Sequence, residues 1–515
     1  MPSSLIHGKY VICKITGPSS ATIINDGAVY QKDGRIKEVG DYRTLKAKHP
    51  DVEDIGSRRF VVMPGLINSH YHTGVSFFQL GQPDKAMESF SLAGPWDLDP
   101  YLEHLYGAIQ MLETGTTTVQ VIYDPGRGFP PIIPEHTDKV IKAYLDAGMR
   151  LAFAPEVVDQ NTTVAGARGG EEQFSASLPP DLRRRFWDFL KPGYLPVEEL
   201  IARHEDVFSK YSGASSRLNI NVAPGNVHRC SDTLLTALKD LAVKHDTSIH
   251  IHVVEVYQQR LYGQWAWKKT PVGHLQDLRF LGPEVDCVHS VWATEKDIDV
   301  MARHGVFVAT NPSSNLRLQA GVTPLARLRH AGVRVSIGTD EAGLNDDKDL
   351  LQEMRLVHKL HRVPGTDARP LTSYEVFQMV WENGAASTGF ADSIGALEPG
   401  RRADMLLMDL GNIEAPLLDP SVSIIDGVLY RGRGVDVDTV VVDGEVVMKG
   451  KRLTKIDKKA LYKELAKTFK KPPLPQKVAW RELRPQIEPY LQRFFASTGT
   501  TQEMPKPFYA YNGRE

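Results

Sequence analysis

Apolar positions recur along this chain with two different rhythms, and the change from one to the other divides it. Up to residue 60, short apolar runs alternate with turns, as in Tyr10-Val11-Ile12, Thr22-Ile23-Ile24, Gly27-Ala28-Val29-Tyr30 and Ile36-Lys37-Glu38-Val39. That is the rhythm of a small β-rich unit. From Phe60 onward, apolar strand, polar loop and amphipathic helix follow one another in repetition, which is how parallel β/α units read. Strand-like runs fall at Phe60 to Met63, Thr117 to Ile122, Arg150 to Ala154, Leu218 to Val222, Ser248 to Val253, Asp286 to Val288, Val306 to Ala309 and Val333 to Ile337. Helical segments such as Pro100 to Glu113, Thr137 to Ala147, Ser231 to Lys244, Lys296 to Arg303 and Pro324 to His330 lie between them. Eight such runs predict an α/β protein whose residues 61–390 close into a distorted TIM-type (β/α)8 barrel rather than an open sheet.

After a helical stretch at Ser373 to Asn383, β texture returns at Ala403 to Leu410 and Val440 to Met448, the latter broken by the hairpin signal Asp443-Gly444. Residues 1–60 and 391–450 are therefore expected to be two parts of one small β-sandwich domain, because chain ends often lie close together. Residues 451–515 begin lysine-rich and helical and end in prolines and aromatics, and read as an extension for docking or oligomer contacts. Residues 161–195, with Gly169-Gly170, Pro179-Pro180, an arginine run and Trp187, fit neither strand nor clean helix. They read as a loop insertion on the catalytic face, a lid or a decoration.

Composition mainly excludes. With 42% hydrophobic and 24% charged residues the chain is globular. A net charge of -2 gives no basic face for nucleic acid or an anionic membrane, so a small-molecule ligand is expected. Cys13, Cys230 and Cys287 are widely spaced and odd in number, which argues against a disulfide framework or a thiolate metal cage. Neither the long apolar core of a signal peptide nor a run of about 18 apolar residues is present. The expectation is a cytoplasmic protein that forms a homo-oligomer, with a dimer as the first choice.

The candidate chemistry sits where the strand pattern ends. In Pro64-Gly65-Leu66-Ile67-Asn68-Ser69-His70-Tyr71-His72, two histidines two apart follow an apolar strand, so both imidazoles share a face. His250-Ile251-His252-Val253-Val254-Glu255 closes the fifth strand, Val288-His289 the sixth and Gly338-Thr339-Asp340 the eighth. Each has a bland reading alone: His289 as a core or capping histidine, Asp340 as a helix N-cap, Glu255 as solvated surface. Together they lie at the C-terminal strand ends, where this architecture gathers its catalytic groups. His250 shares the face of His252 but lies deeper, and reads as core or as support for the ligand shell.

These pieces resemble the amidohydrolase superfamily, in the branch holding adenosine-derivative and guanine deaminases, triazine hydrolases and phenylurea hydrolases. The matching stretches are V-M-P-G-L-I-N-S-H-Y-H, L-E-T-G-T-T-T-V from Leu112, H-I-H-V-V-E, V-H-S-V-W-A-T from Val288, N-P-S-S-N-L-R-L from Asn311, G-T-D-E-A-G from Gly338 and I-G-A-L-E-P-G-R-R-A-D from Ile394. The resemblance implies His70, His72, His252 and Asp340 as metal ligands, His289 and Asp340 as activators of the attacking water, and Glu255 as proton shuttle. Two-metal members carry a bridging Lys or Glu at the end of the fourth strand. Here that strand ends Asn221-Val222-Ala223-Pro224-Gly225-Asn226, which implies one divalent ion per chain, Zn²⁺ first and Fe²⁺ second.

The reaction expected is hydrolysis of a non-peptide C–N bond, with deamination of an aminated heterocycle as first reading and cleavage of an aryl amide, urea or carbamate as alternative. A non-catalytic binding protein is the remote third, disfavoured by the intact ligand set. Substrate contacts are expected from Gln79, Trp96, His228, Trp292 and Asn311. The aromatic run Tyr257, Tyr262, Trp265 and Trp267 reads equally as pocket wall or helix packing. His358 and His361 read as surface residues, and Asp404 as a turn residue.

Overall fold

The structure is a computed structural model that describes residues 3–76, 78–90, 98–341, 343–362 and 370–496. Its centre is a curled parallel sheet of eight strands. Leu66–Tyr71, Thr116–Tyr123, Arg150–Val157 and Leu218–Ile220, continued by Ala223–Pro224, pair in sequence; Ile249–Val253, Val285–His289, Phe307–Thr310 and Arg334–Ile337 do the same. Parallel bridges Val222 to Ile249 and Asn226 to His252 join the halves on one side. On the other, the Asp340 amide donates to the His70 carbonyl at 3.0 Å. The strands are buried nearly throughout, which is why they read as continuous apolar runs rather than alternating ones.

The first barrel strand is not Phe60 to Met63. Those residues belong to Glu53–Pro64, a strand of a separate mixed sheet, and the barrel begins at Leu66. One apolar run feeds both sheets, and Pro64-Gly65 breaks it. A Cβ on Gly65 would lie 2.1 Å from Thr117 Oγ1, so only glycine lets the chain cross over here.

The separate sheet has eight strands drawn from both ends of the chain. Ser4–Gly17, Ser20–Lys32, Arg35–Asp41 and Glu53–Pro64 come from the N-terminal side; Met405–Asp409, Val437–Val442, Glu445–Lys449 and Arg452–Leu453 come from the C-terminal side. The two sets meet where Met405 pairs with Pro64 and Asp409 with Phe60. Asp404, just before that seam, is no turn residue. It is buried and receives Arg150 of the third barrel strand, with Nε to Oδ2 at 2.7 Å and Nη2 to Oδ1 at 3.0 Å.

Residues 161–195 are also more ordered than their composition predicted, with helices Glu171–Ala176 and Pro180–Leu190. Their apolar side chains find their partner in the C-terminal helix Pro475–Ala496. Phe174, Phe186 and Phe189 pack there with Trp480, Ile487 and Phe494 in one buried cluster. A partner about 300 positions away leaves no local periodicity to read. His358, expected at the surface, is 2% exposed and lies against Tyr430, because its helix Leu350–Leu360 is covered by the helix Ile424–Arg431. His361 is half-buried. No helix among the described residues is long and apolar enough to cross a membrane.

Candidate metal and catalytic site

Six of the residues singled out in the sequence converge at the C-terminal mouth of the barrel. His70 lies one residue before the end of the first strand, His72 follows it, His252 lies on the fifth, His289 ends the sixth, and Glu255 and Asp340 stand just beyond the fifth and eighth. His72 Nε2 is 2.9 Å from His252 Nε2. Asp340 Oδ1 lies 3.5 Å from His70 Nε2 and 3.7 Å from His72 Nε2, and Asp340 Oδ2 lies 3.8 Å from His289 Nε2. Glu255 Oε1 is 3.8 Å from the same His289 nitrogen.

The outer edges of the rings fix which nitrogen faces inward. His72 Nδ1 donates to the Ile122 carbonyl at 3.0 Å, His252 Nδ1 to the Gly225 carbonyl at 2.5 Å, and His289 Nδ1 to Asn315 Oδ1 at 2.8 Å. With the hydrogen held at Nδ1, it is the Nε2 of each ring that faces the centre, where it can offer its lone pair. Two such lone pairs 2.9 Å apart repel unless a positive charge lies between them. His70 is fully buried, its Nδ1 has no hydrogen-bond partner among the described residues, and its Nε2 is too far from Asp340 for a well-formed bond. Three imidazoles and a carboxylate arranged this way fit a divalent cation. Every ring nitrogen and carboxylate oxygen of the groups His70–His72–His252 and His70–His289–Asp340 that would reach it lies within 4.8 Å of the others in its group.

The protonation states agree with that fit. Burial pushes His70 down to about 3, against the pull of Asp340, and burial together with His72 holds His252 well below its ordinary value. Both rings are thus neutral and able to act as ligands. Burial pushes Asp340 up, but the surrounding histidines outweigh it and hold the carboxyl well below the usual range. Glu255 moves the other way: burial raises it despite the attraction of His289.

The chain is forced into shape here. His289 and Asp340 have φ of 68° and 50°, left-handed values that non-glycine residues adopt at some cost and that the surroundings hold in place. A Cβ on Gly338 would come within 2.8 Å of His70 Cβ and 2.4 Å of Asn311 Oδ1, so glycine permits the first and last strands to approach. A short helix, Pro312–Arg317, holds Asp340 and His289: Ser314 Oγ donates to Asp340 Oδ2 at 2.6 Å, and Asn315 Oδ1 receives His289 Nδ1. The helix itself is moored by Ser313, whose amide donates to Glu353 Oε2 at 3.0 Å. Sequence reasoning missed Ser314, Asn315 and Glu353. The stretch N-P-S-S-N was visible, but which of its polar side chains points inward is set by the turn of the helix.

The site opens into a cavity of about 340 Å³. The strand-end residues His72, His252, Glu255, His289 and Asp340 line one wall, with Glu156, Arg229 and Glu341 beside them. Glu156 is pushed up to about 7 and Glu341 to about 8, in both cases first by burial. None of these three was singled out in the sequence.

Four of the five expected substrate contacts stand elsewhere. Gln79 is tied to Gln110 and the Asp346 carbonyl, Trp292 donates to the Ala320 carbonyl and packs on Tyr257, and neither lines the cavity. Asn311 is fully buried behind the site, with its Nδ2 3.3 Å from His289 Nδ1. His228 is buried beside Tyr262, and its neighbours Asn226 and Arg229 take the place on the wall. Trp96 lies outside the described residues. The run from Tyr257 to Trp267 forms a helix that packs: Trp267 stacks on His274, and Asn161 Nδ2 donates to the Tyr262 hydroxyl. His250 donates no ligand nitrogen to the cluster; its Nε2 is 3.0 Å from the Ser387 carbonyl, below the mouth.

Known proteins share this architecture. A zinc-bound adenosine deaminase from Xanthomonas campestris superposes with a TM-score of 0.73 at 22% identity, covering 94% of this chain and 99% of that one. A 5'-deoxyadenosine deaminase from Methanothermobacter thermautotrophicus is 30% identical over 455 residues, 86% of this chain and 95% of the relative. A 5-methylthioadenosine/S-adenosylhomocysteine deaminase from Thermococcus kodakarensis is 31% identical over 395 residues, 75% of this chain and 82% of the relative. Residues 61–447, which carry the barrel and every residue of the His–Asp–Glu cluster, match the Amidohydrolase family, and the chain belongs to that family.

Proposed function

We propose that this chain is a metal-dependent hydrolase that removes the exocyclic amine of an aminated purine nucleoside, releasing ammonia. The observation that carries the reading is the position of Glu255: a buried carboxyl with a raised pKa, beside the His289–Asp340 pair and facing the cavity. The similarity to deaminases of adenosine derivatives supports the substrate class. In this reading His70, His72, His252 and Asp340 hold one divalent ion, with Zn²⁺ favoured by the imidazole and carboxylate donors and Fe²⁺ next. When bound, such an ion supplies hydroxide at neutral pH.

The chain's own groups do the rest. Asp340 and His289 stand where they accept the proton of the attacking water, and Ser314 and Asn315 keep them aimed. Water adds to the ring carbon that bears the amine. Glu255, whose burial favours its acid form, delivers a proton to the ring nitrogen next to that carbon, takes up the proton of the added hydroxyl and passes it to the departing nitrogen; the proton held by Asp340 and His289 then returns Glu255 to its acid form. The C–N bond breaks, ammonia leaves, and a ring carbonyl remains. The buried wall around the carboxylates excludes bulk water, so the charges act at low dielectric.

The test is an assay of purified, metal-quantified protein against adenosine, its 5'-modified derivatives, anilides and aryl ureas, reading ammonia and arylamine separately. Ammonia from the purines is expected. Glu255→Gln should lower kcat by about 10²–10⁴-fold while metal content is unchanged. Arylamine release without ammonia, or an unimpaired Glu255→Gln enzyme, would overturn the assignment.

A further inference from the structure

The cavity has a second wall that does not come from the strand ends. It is built by Phe129, by Phe189 of the helix Pro180–Leu190, and by Leu474, Lys477 and Trp480 of the C-terminal extension. The extension lies beyond residues 61–447, the part matched to the family. Trp480 lies flat on Phe189, with ring centroids 4.7 Å apart and planes 16° from parallel. Trp480 is 5% and Phe189 8% exposed, so the slab is formed before any ligand arrives. It is held from behind by the buried cluster that contains Phe174, Phe186, Leu483 and Ile487. Burial raises the Glu103 carboxyl that also lines the cavity, against the opposing pull of the Thr73 hydroxyl and, after it, of the Lys477 charge.

The cavity therefore has two chemical faces, a polar face of imidazoles and carboxylates and a face of stacked aromatic and aliphatic side chains. A substrate whose amine-bearing carbon sits at the polar face can reach the aromatic face only with its other end. We infer that the C-terminal helix is part of the substrate site, and that Trp480 stacked on Phe189 receives an apolar substituent, a hydrocarbon or thioether, on the end of the substrate away from the amine. The inference rests on the deaminase reading of the polar face. Apolar contact of this size discriminates by about 10- to 200-fold per methylene-scale group, and desolvating the ligand's end against a rigid slab costs no reorganisation of the protein.

Binding is measured by calorimetry in the Glu255→Gln background, so that turnover does not intervene, with 5'-methylthioadenosine and 9-methyladenine as probes. Trp480→Ala is expected to weaken the first by about 10- to 100-fold and the second by less than about threefold. Trp480→Phe should restore most of the loss. Phe189→Ala, which removes the slab from the other side without touching the extension, should repeat the pattern, and circular dichroism with metal content confirms that each variant is folded. Equal losses for both probes, or none for the nucleoside, would overturn the inference while leaving the deaminase reading intact. If neither probe binds and the unaltered chain releases no ammonia from either, both fall together, a result distinct from binding that ignores Trp480.

Discussion

Asn315 shows how much of this site depends on side chains that touch no substrate. Its Oδ1 is 2.8 Å from His289 Nδ1, and that bond keeps the hydrogen on the outer nitrogen so that Nε2 faces Asp340 and Glu255. Asn315→Leu keeps the volume but leaves a buried ring nitrogen with only Asn311, at 3.3 Å, among the described residues. Losses on removing such orienting partners run about 10- to 100-fold in metal affinity or activity. The expected result is a fall of that size in kcat with thermal stability near that of the parent, and an unchanged kcat would show that the ring is held by packing alone. The residues around the centre were legible because each follows an apolar strand at a spacing that puts it on the inner face. Their supports were not. Asn311 and Asn315 are four apart in one short stretch, and sequence alone pointed to the former as a substrate contact, whereas the structure puts it behind His289 and gives the closer bond to the latter.

Among the elements, the third barrel strand is pinned to the terminal sheet chiefly by the buried ion pair Arg150–Asp404, with Asp443 Oδ1 a longer contact at 3.7 Å from Arg150 Nη2. Arg150 is fully buried, donates twice to Asp404, and Asp404 Oδ1 also accepts the Asp443 amide at 2.7 Å. Removing one partner of such a pair strands a charge out of water and costs about 3–5 kcal/mol, whereas replacing both by apolar groups is often close to neutral. Arg150→Met should therefore lose roughly that much in urea unfolding, and Arg150→Met with Asp404→Leu should recover most of it; equal losses for the single and double variants would refute the stranded-charge account. Strand number and order were legible from apolar runs, but sheet membership was not. Phe60 to Met63 and Leu66 to Tyr71 are one apolar stretch in the sequence, and only the crossover at Gly65, where Thr117 leaves no room for a side chain, assigns them to different sheets. Asp404 was misread for a related reason, since its partner lies 254 positions earlier.

For the whole molecule, the long-range packing that escaped the sequence also sets how stability should respond to acid. The C-terminal helix carries Pro485 and Pro489 within its length, so its periodicity gives little warning that it caps a cluster near the mouth of the barrel. Burial likewise hides histidines that look ordinary in sequence. His204, on the helix Val197–Tyr211 outside the catalytic cavity, is 0% exposed and is pushed down to about 4 by that burial. In the unfolded chain it titrates near 6.5. Above that value it is neutral in both states and its contribution is fully present; as pH falls from 6.5 toward 4, the unfolded chain takes up a proton that the folded one does not, and stability is lost. Buried acids such as Glu353, raised to about 8 by burial, work in the opposite direction over the same range, so the net slope mixes the two. The isolating experiment is His204→Leu, with melting temperature followed from pH 7.5 to 5 in both proteins. The variant should gain on the parent steadily below pH 6.5 and run parallel to it above. A difference that stays constant across the range would mean that water reaches the ring, and that the helix does not seal it as the structure has it.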